Sequence, residues 1–221
     1  MEIRRGEVLS LLGENGSGKT TLMNMLSGIY FPDEGEILVN GEPVTIASPA
    51  DSRRLGIRVI HQDRTLIPTF NGIENCYLGL EYPTRLGRVD WAAMERRVWQ
   101  TMEDLGIDLD LKKTAAELSP PQRTELEIVR AMMTDCRLLI LDEPTASLTD
   151  QEAGRLFRLL RDLRQKGTSI LYVTHRLDEI FLLTDRVTVL RNGRLVDTVP
   201  TASVTREQLI AKMTEQAAVE P

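Results

Sequence analysis

Gly13-Glu14-Asn15-Gly16-Ser17-Gly18-Lys19-Thr20 satisfies the pattern G-x-x-x-x-G-K-[ST] at every fixed position. This spacing is a device for holding a nucleoside triphosphate. Glycines at 13, 16 and 18 permit backbone angles and close approaches that a Cβ would block. The loop N–H groups can then converge on phosphate oxygens at the start of a helix. Lys19 can reach the β- and γ-phosphates, and the Thr20 hydroxyl can take a place on Mg²⁺. Thr21, the next residue, extends the candidate triphosphate-binding set at the loop. The flanks agree with this reading. Glu7 to Leu12 is an apolar, strand-like run, and Thr20 to Leu26 has helical spacing with Leu22, Met23 and Leu26 on one side.

The chain has 221 residues, 42% of them hydrophobic and 27% charged. That is enough for one α/β domain with a smaller lobe. A net charge of −6 argues against nucleic acid as a partner, which needs a basic face. It does not argue against ATP, which this loop would hold through backbone N–H groups and a single lysine. Cys76 and Cys136 lack metal-ligand spacing, and free thiols are expected. No apolar run reaches membrane-spanning length.

Working outward from the loop, Gly35–Val39 and Val44–Ile46 flank Asn40-Gly41, a hairpin signal. A short helix over Pro49–Leu55 and a buried strand over Ile57–Ile60 follow. Residues 63–90 carry turn signals and weak periodicity. Residues 90–105 read as an amphipathic helix, capped by Asp90 and stopped by Gly106, with Trp91, Met94, Val98, Met102 and Leu105 as its core stripe. Helices are expected over 121–133, 150–166, Arg176–Leu183 and Val204–Met213. Strands are expected over Leu138–Leu141 and Ser169–Val173, with a second hairpin around Asn192-Gly193. Strands alternating with helices imply a mostly parallel sheet.

A second motif narrows the chemistry. Leu138-Leu139-Ile140-Leu141 is an apolar strand that ends in Asp142-Glu143. A buried strand tip is a rigid place from which Asp142 can face Mg²⁺, directly or through water. Glu143, one residue further, can orient or deprotonate a water beside the γ-phosphate. His175 follows the strand Ser169–Val173 on the edge of the sheet where α/β folds bind ligands. It can bond the γ-phosphate or steady the attacking water.

With Gly13–Thr20, Gln62, Leu118–Gln122, Leu141–Thr145, Ser147–Asp150 and His175 in this order, the chain resembles the ATP-binding subunits of ABC transporters over nearly its whole length. The resemblance implies a P-loop NTPase fold of α/β class. Residues 1–62 and 134–221 would form the ATPase core with a small antiparallel β part, and 63–133 a helical subdomain. Gln62 would contact Mg²⁺ or the attacking water, giving Thr20, Gln62 and Asp142 as the metal set and Glu143, His175 and Gln62 as the catalytic set. Ser119 and Gln122 would reach the nucleotide of an opposing domain, and Ser147–Asp150 would cross the dimer interface. The implied partners are a second nucleotide-binding domain, membrane permease subunits and, indirectly, a solute-binding protein, with the chain at the cytoplasmic membrane face. Leu26–Tyr30, Asp33–Gly35, Ile60–Asp63, Leu66–Pro68, Asn71–Asn75 and Glu143–Thr149 are most similar to the first of two tandem domains in monosaccharide importers. The alternatives are a regulatory or weakly hydrolysing module and a non-transport ABC ATPase. The non-transport proteins carry long coiled-coil inserts or basic arms, which this sequence lacks.

Two departures from the family pattern stand out. The usual Leu-Ser-Gly-Gly-Gln signature reads Leu118-Ser119-Pro120-Pro121-Gln122 here. Proline has no N–H, so up to two donors to phosphate are missing, while Ser119 as N-cap and proline in the first turn should preserve the helix. The two composite sites of a dimer are therefore expected to be unequal. The chain also begins close to the phosphate loop, where the resemblance implies an earlier edge strand and an adenine-stacking aromatic. A fragment or a shortened gene model is expected; the alternative, a genuine short subunit, would stack adenine on another group, such as Tyr30.

Overall fold

The computed structural model describes residues 1–61 and 66–214. Gln62 therefore lies outside the described residues. By their contacts the residues divide into two units, one of Met1–Val59, Arg137–Glu143 and Arg164–Pro221, the other of Ile60–Cys136 and Pro144–Leu163.

The first unit is built on one sheet. Its strands are β1 (Val8–Leu12), β4 (Ile57–Ile60), β7 (Leu138–Asp142), β8 (Ser169–Val173), β9 (Arg186–Arg191) and β10 (Arg194–Pro200), in spatial order β10-β9-β1-β8-β7-β4. β1 runs parallel to both β8 and β9, and β7 parallel to β8, whereas β10 closes the edge antiparallel to β9. This is the mostly parallel core sheet expected from the sequence. β1 and β8 are buried along their entire length, as unbroken apolar runs require when both faces are covered. Side-chain alternation sends Leu9 and Leu11 into a cluster with Met23 of helix α1 (Lys19–Leu26), Ile140, Leu171 and Val173. Leu12 joins a second cluster with Leu177 and Ile180 of helix α7 (Leu177–Leu183) and Leu209 of helix α8 (Arg206–Met213). Helix α2 (Pro49–Arg54) and the ribbon of β2 (Ile37–Val39) and β3 (Glu42–Val44) complete this unit. Both Asn-Gly turns form as expected, with Asn40 and Gly41 at φ 55° and 84° and Asn192 and Gly193 at 50° and 74°. Positive φ at both positions is what a two-residue hairpin demands.

The second unit is helical. Its helices are α3 (Gly72–Cys76), α4 (Trp91–Leu105), α5 (Pro120–Met132) and most of α6 (Asp150–Gln165). Met94, Val98 and Met102 of α4 are fully buried in a cluster with Tyr77, Leu126 and Val129. An isolated helix of this length is marginal in water. Burial worth roughly 1.5–3 kcal/mol per large side chain holds it in place. Trp91, expected on the same stripe, is instead 55% exposed. It is the first helical residue, next to the Asp90 cap, and precedes the turn that meets the cluster. Pro144–Leu163 groups with this unit by its contacts. The chain rejoins the first unit at Arg164, which donates to Gly6 O and pairs with Asp185.

A third hairpin, between β5 (Thr84–Arg85) and β6 (Arg88–Val89), was not legible in the sequence. Its turn is Leu86-Gly87, with Leu86 at φ 53° and 98% exposed. A leucine in the left-handed region costs roughly 1 kcal/mol or more, and nothing in the structure explains its presence there.

Candidate functional site

The phosphate loop leaves the C-terminal end of β1 and runs into α1, the strand–loop–helix context its motif requires. Its glycines do different jobs. Gly16 and Gly18 have φ of 80° and 103°, angles that side chains resist, and open space lies beside Gly16. Gly13 is needed for contact. A Cβ there would lie 2.3 Å from Ser17 Oγ and 2.5 Å from Leu190 O. Ser17 Oγ is buried with no hydrogen-bond partner among the described residues. The loop is braced from below by the second hairpin, since the Gly193 N–H donates to Ser17 O at 3.0 Å. Asn192-Gly193 signals a turn in the sequence, but nothing local to it signals this support of the loop.

Lys19 folds over the loop and donates to Gly13 O at 2.8 Å and Glu14 O at 3.0 Å. Burial pushes its ammonium below the usual lysine pKa, and the charges of Glu143 and then Asp142 act in the opposite direction. The lysine of the loop and the carboxylates at the tip of β7 thus lie within electrostatic reach of one another. Thr20 and Thr21 are exposed in the first turn of α1, and Glu14, Asn15 and Gly16 are exposed in the loop.

Glu143 follows Asp142, the last residue of β7, and its backbone turns sharply, with φ 44°. The left-handed conformation costs a non-glycine residue about 1–3 kcal/mol. It is held by the Glu143 N–H, which donates to Val173 O at 2.9 Å. The side chain meets His175, with Oε1 and Nδ1 2.7 Å apart. Glu143 is mostly buried in the pair and His175 is 58% exposed. The ends of β1, β7 and β8 therefore place Lys19, Asp142, Glu143 and His175 along one edge of one sheet, where such folds bind ligands. Among the described residues no group of three or more His, Cys, Asp or Glu side chains is arranged to hold a metal.

The second unit carries Ser119 and Gln122. Ser119 has φ −67° and ψ 161°, the extended form that a following proline imposes. Pro120 and Pro121 open α5, where an N–H has no helical partner to lose. Gln122 Oε1 accepts from the Ser119 N–H at 3.0 Å, and the Arg123 N–H donates to Ser119 O at 3.0 Å. The helix survives its two prolines, and Gln122 is engaged within its own turn. Thr149 caps α6 in a similar way, with its N–H and hydroxyl donating to Glu152 at 2.8 and 2.9 Å. Tyr30 is 50% exposed beside the exposed Ile29 and Phe31.

Known proteins resemble this chain in sequence and fold. The family model described as ABC transporter matches residues 1–146. A putative ribose/galactose/methyl galactoside import ATP-binding protein 2 of Burkholderia lata is 42% identical over 211 residues, which cover 96% of this chain and 40% of that protein. The ribose import ATP-binding protein RbsA 2 of Mesorhizobium japonicum is 46% identical over 213 residues, covering 95% of this chain and 42% of that one. The chain thus spans about two-fifths of the length of these relatives. Among solved structures, cbiO1 of Clostridium perfringens, part of the ABC transporter complex cbiONQ, superposes with a TM-score of 0.79 at 28% identity, covering 96% of this chain and 84% of that one. The ADP conformation of MJ1267, an ATP-binding cassette of an ABC transporter, gives 0.81 at 26% identity, covering 97% and 89%. The fold is that of an ABC ATPase.

Proposed function

The chain belongs to the ABC transporter family, and we propose that it is the ATP-binding and ATP-hydrolysing domain of an importer for a monosaccharide or related solute. One observation carries the ATPase reading: Lys19 of the phosphate loop lies within electrostatic reach of Asp142 and Glu143 at the tip of a neighbouring strand, and Glu143 is in turn bonded to His175. The names of the relatives supply the solute class.

In this reading Gly13–Thr21 cradles the ATP phosphates, with the backbone N–H groups and Lys19 neutralising their charge. Thr20, Gln62 and Asp142 would hold Mg²⁺, which when bound would supply positive charge to offset the negative charge developing on the phosphates. Glu143 accepts a proton from the water that attacks the γ-phosphorus in line. As the new P–O bond forms, the bond to the bridging oxygen breaks and its electrons leave with ADP. His175 holds the Glu143 carboxylate and faces the transferred phosphoryl group. A second such domain would supply its signature to this site, and permease subunits at the cytoplasmic membrane face would convert closure into transport. No helix among the described residues is long and apolar enough to cross a membrane.

The test is phosphate release from ATP by the purified chain, with and without Mg²⁺ and with the permease. Mg²⁺-dependent turnover that stops on chelation is expected. ATP binding without phosphate release in every condition would leave the regulatory reading, which Pro120-Pro121 favours. The same prolines predict a gain. Pro120→Gly with Pro121→Gly restores two N–H donors at the start of α5 and is expected to raise the transporter's turnover by about 10-fold or more. It should also lower unfolding stability by roughly 1 kcal/mol, through added chain entropy. Unchanged turnover would show that Ser119 and the helix terminus suffice.

A further inference from the structure

We propose that Glu179 is a positioning residue for hydrolysis, fixing the turn from which His175 reaches Glu143; this rests on the ATPase reading above. Glu179 lies in the first turn of α7 and is only 4% exposed, unusual burial for a carboxylate. Its Oε2 accepts two hydroxyl bonds, from Tyr172 at 2.8 Å and Thr174 at 2.9 Å. Its Oε1 pairs with Arg176 at 2.9 Å. Because the Thr174 hydroxyl gives its proton to Glu179, its lone pair faces the other way and accepts the Arg176 N–H at 3.0 Å. The carboxylate thus ties the residues on both sides of His175, namely Thr174 and Arg176, to the buried end of β8.

The arrangement answers a question the catalytic pair raises. The His175 ring is 58% exposed, so core packing does little to choose its rotamer. An exposed imidazole on a free turn would sample several positions, each at a cost in rotamer freedom to withdraw. Here the backbone beneath the ring is locked by a charged acceptor with three donors, and bonds to a charged group are the stronger kind. Arg176, the residue before α7, makes no side-chain cap bond, and the Glu179 N–H donates to Arg176 O at 3.2 Å, so Glu179 holds this turn through both its backbone and its carboxylate. A misplacement of about 1 Å in a catalytic group can cost up to about 100-fold in rate.

Glu179→Gln tests the idea with little change of volume. An amide can keep one oxygen on the hydroxyls, but it places N–H groups against the Arg176 guanidinium and breaks that pair. Expected are a kcat about 10- to 100-fold lower, an unchanged KM for ATP, and a folded protein by thermal unfolding. His175→Ala alone should lower kcat, and adding Glu179→Gln to it should cost nothing further, because the carboxylate acts only through the imidazole. NMR gives a second readout independent of turnover. The chain has two histidines, so the His175 ring nitrogens are identified as the signals lost in His175→Ala. In wild type its Nδ1 should carry the signature of the Glu143 bond, and in Glu179→Gln that signature should be lost or averaged. Wild-type hydrolysis with unchanged kcat in Glu179→Gln, or a kcat loss with His175 signals unmoved, would overturn the proposal. A wild type that hydrolyses no ATP would sink the ATPase reading instead, and the NMR comparison would still decide whether Glu179 sets the imidazole.

Discussion

Glu143→Gln is expected to leave ATP binding within about twofold of wild type while lowering turnover by about 10²–10⁴-fold, the usual contribution of a positioned general base. The replacement is nearly isosteric, and its amide oxygen can still accept from His175, 2.7 Å away in the native pair. What it lacks is basicity. Nucleotide titration and phosphate release, measured on the same sample, separate these effects. Turnover above about a tenth of wild type would place the base elsewhere. Glu143→Gly sharpens the comparison. With φ at 44°, glycine would relieve a backbone strain of about 1–3 kcal/mol. This variant should lose turnover as fully as the glutamine but unfold no more easily than wild type. Backbone strain at the proposed general base is the kind of local outlier that points to a functional site.

Gly13→Ala should be the most damaging single-methyl change in the phosphate loop. The added carbon would meet Ser17 Oγ at 2.3 Å and the backbone oxygen of Leu190 at 2.5 Å. The serine hydroxyl can turn aside, but Leu190 lies within β9 and its carbonyl cannot move without bending the strand. Overpacking of this kind costs about 1–3 kcal/mol. If that falls on the loop's binding-competent shape, ATP affinity drops by about 10- to 100-fold. Ser17→Gly, added to Gly13→Ala, should recover only part of the loss, because the clash with Leu190 O remains. Equilibrium nucleotide binding by the three proteins checks the order, and full recovery would show that the serine was the whole obstacle. Gly16→Ala makes a useful contrast, since its Cβ meets nothing within 4 Å and only the φ of 80° opposes it.

Local chemistry was legible in the sequence, and long-range placement was not. Asn40-Gly41 and Asn192-Gly193 announced their hairpins because both residues of each pair tolerate positive φ. Leu86-Gly87 makes the same turn with a residue that should avoid it, so no sequence rule finds it. The α4 stripe was readable at Met94, Val98 and Met102, but periodicity says only which side of a helix a residue faces, not where the core ends, and Trp91 lies beyond it. At the site, Asp142, Glu143 and His175 could be placed at strand ends from apolar runs alone. Their mutual contact depends on β7 and β8 being neighbours, which pattern does not reveal. Glu179 reads as an ordinary acid in the first turn of a helix, where such residues are common. Only its burial and its hydroxyl partners set it apart.

The position of β1 has a consequence for how the molecule is made. Among the described residues Val8–Leu12 pair with β8 and β9, at residues 170–173 and 186–189. The loop that follows takes its support from the Gly193 N–H. The loop at Gly13–Thr20 and the strands and turn that support it are thus separated by about 150 residues of sequence or more. At roughly 5–20 residues per second on the ribosome, about ten to forty seconds separate the two. Throughout that interval the first strand is an apolar segment without its partners, and ATP has no finished site through which to stabilise the nascent protein.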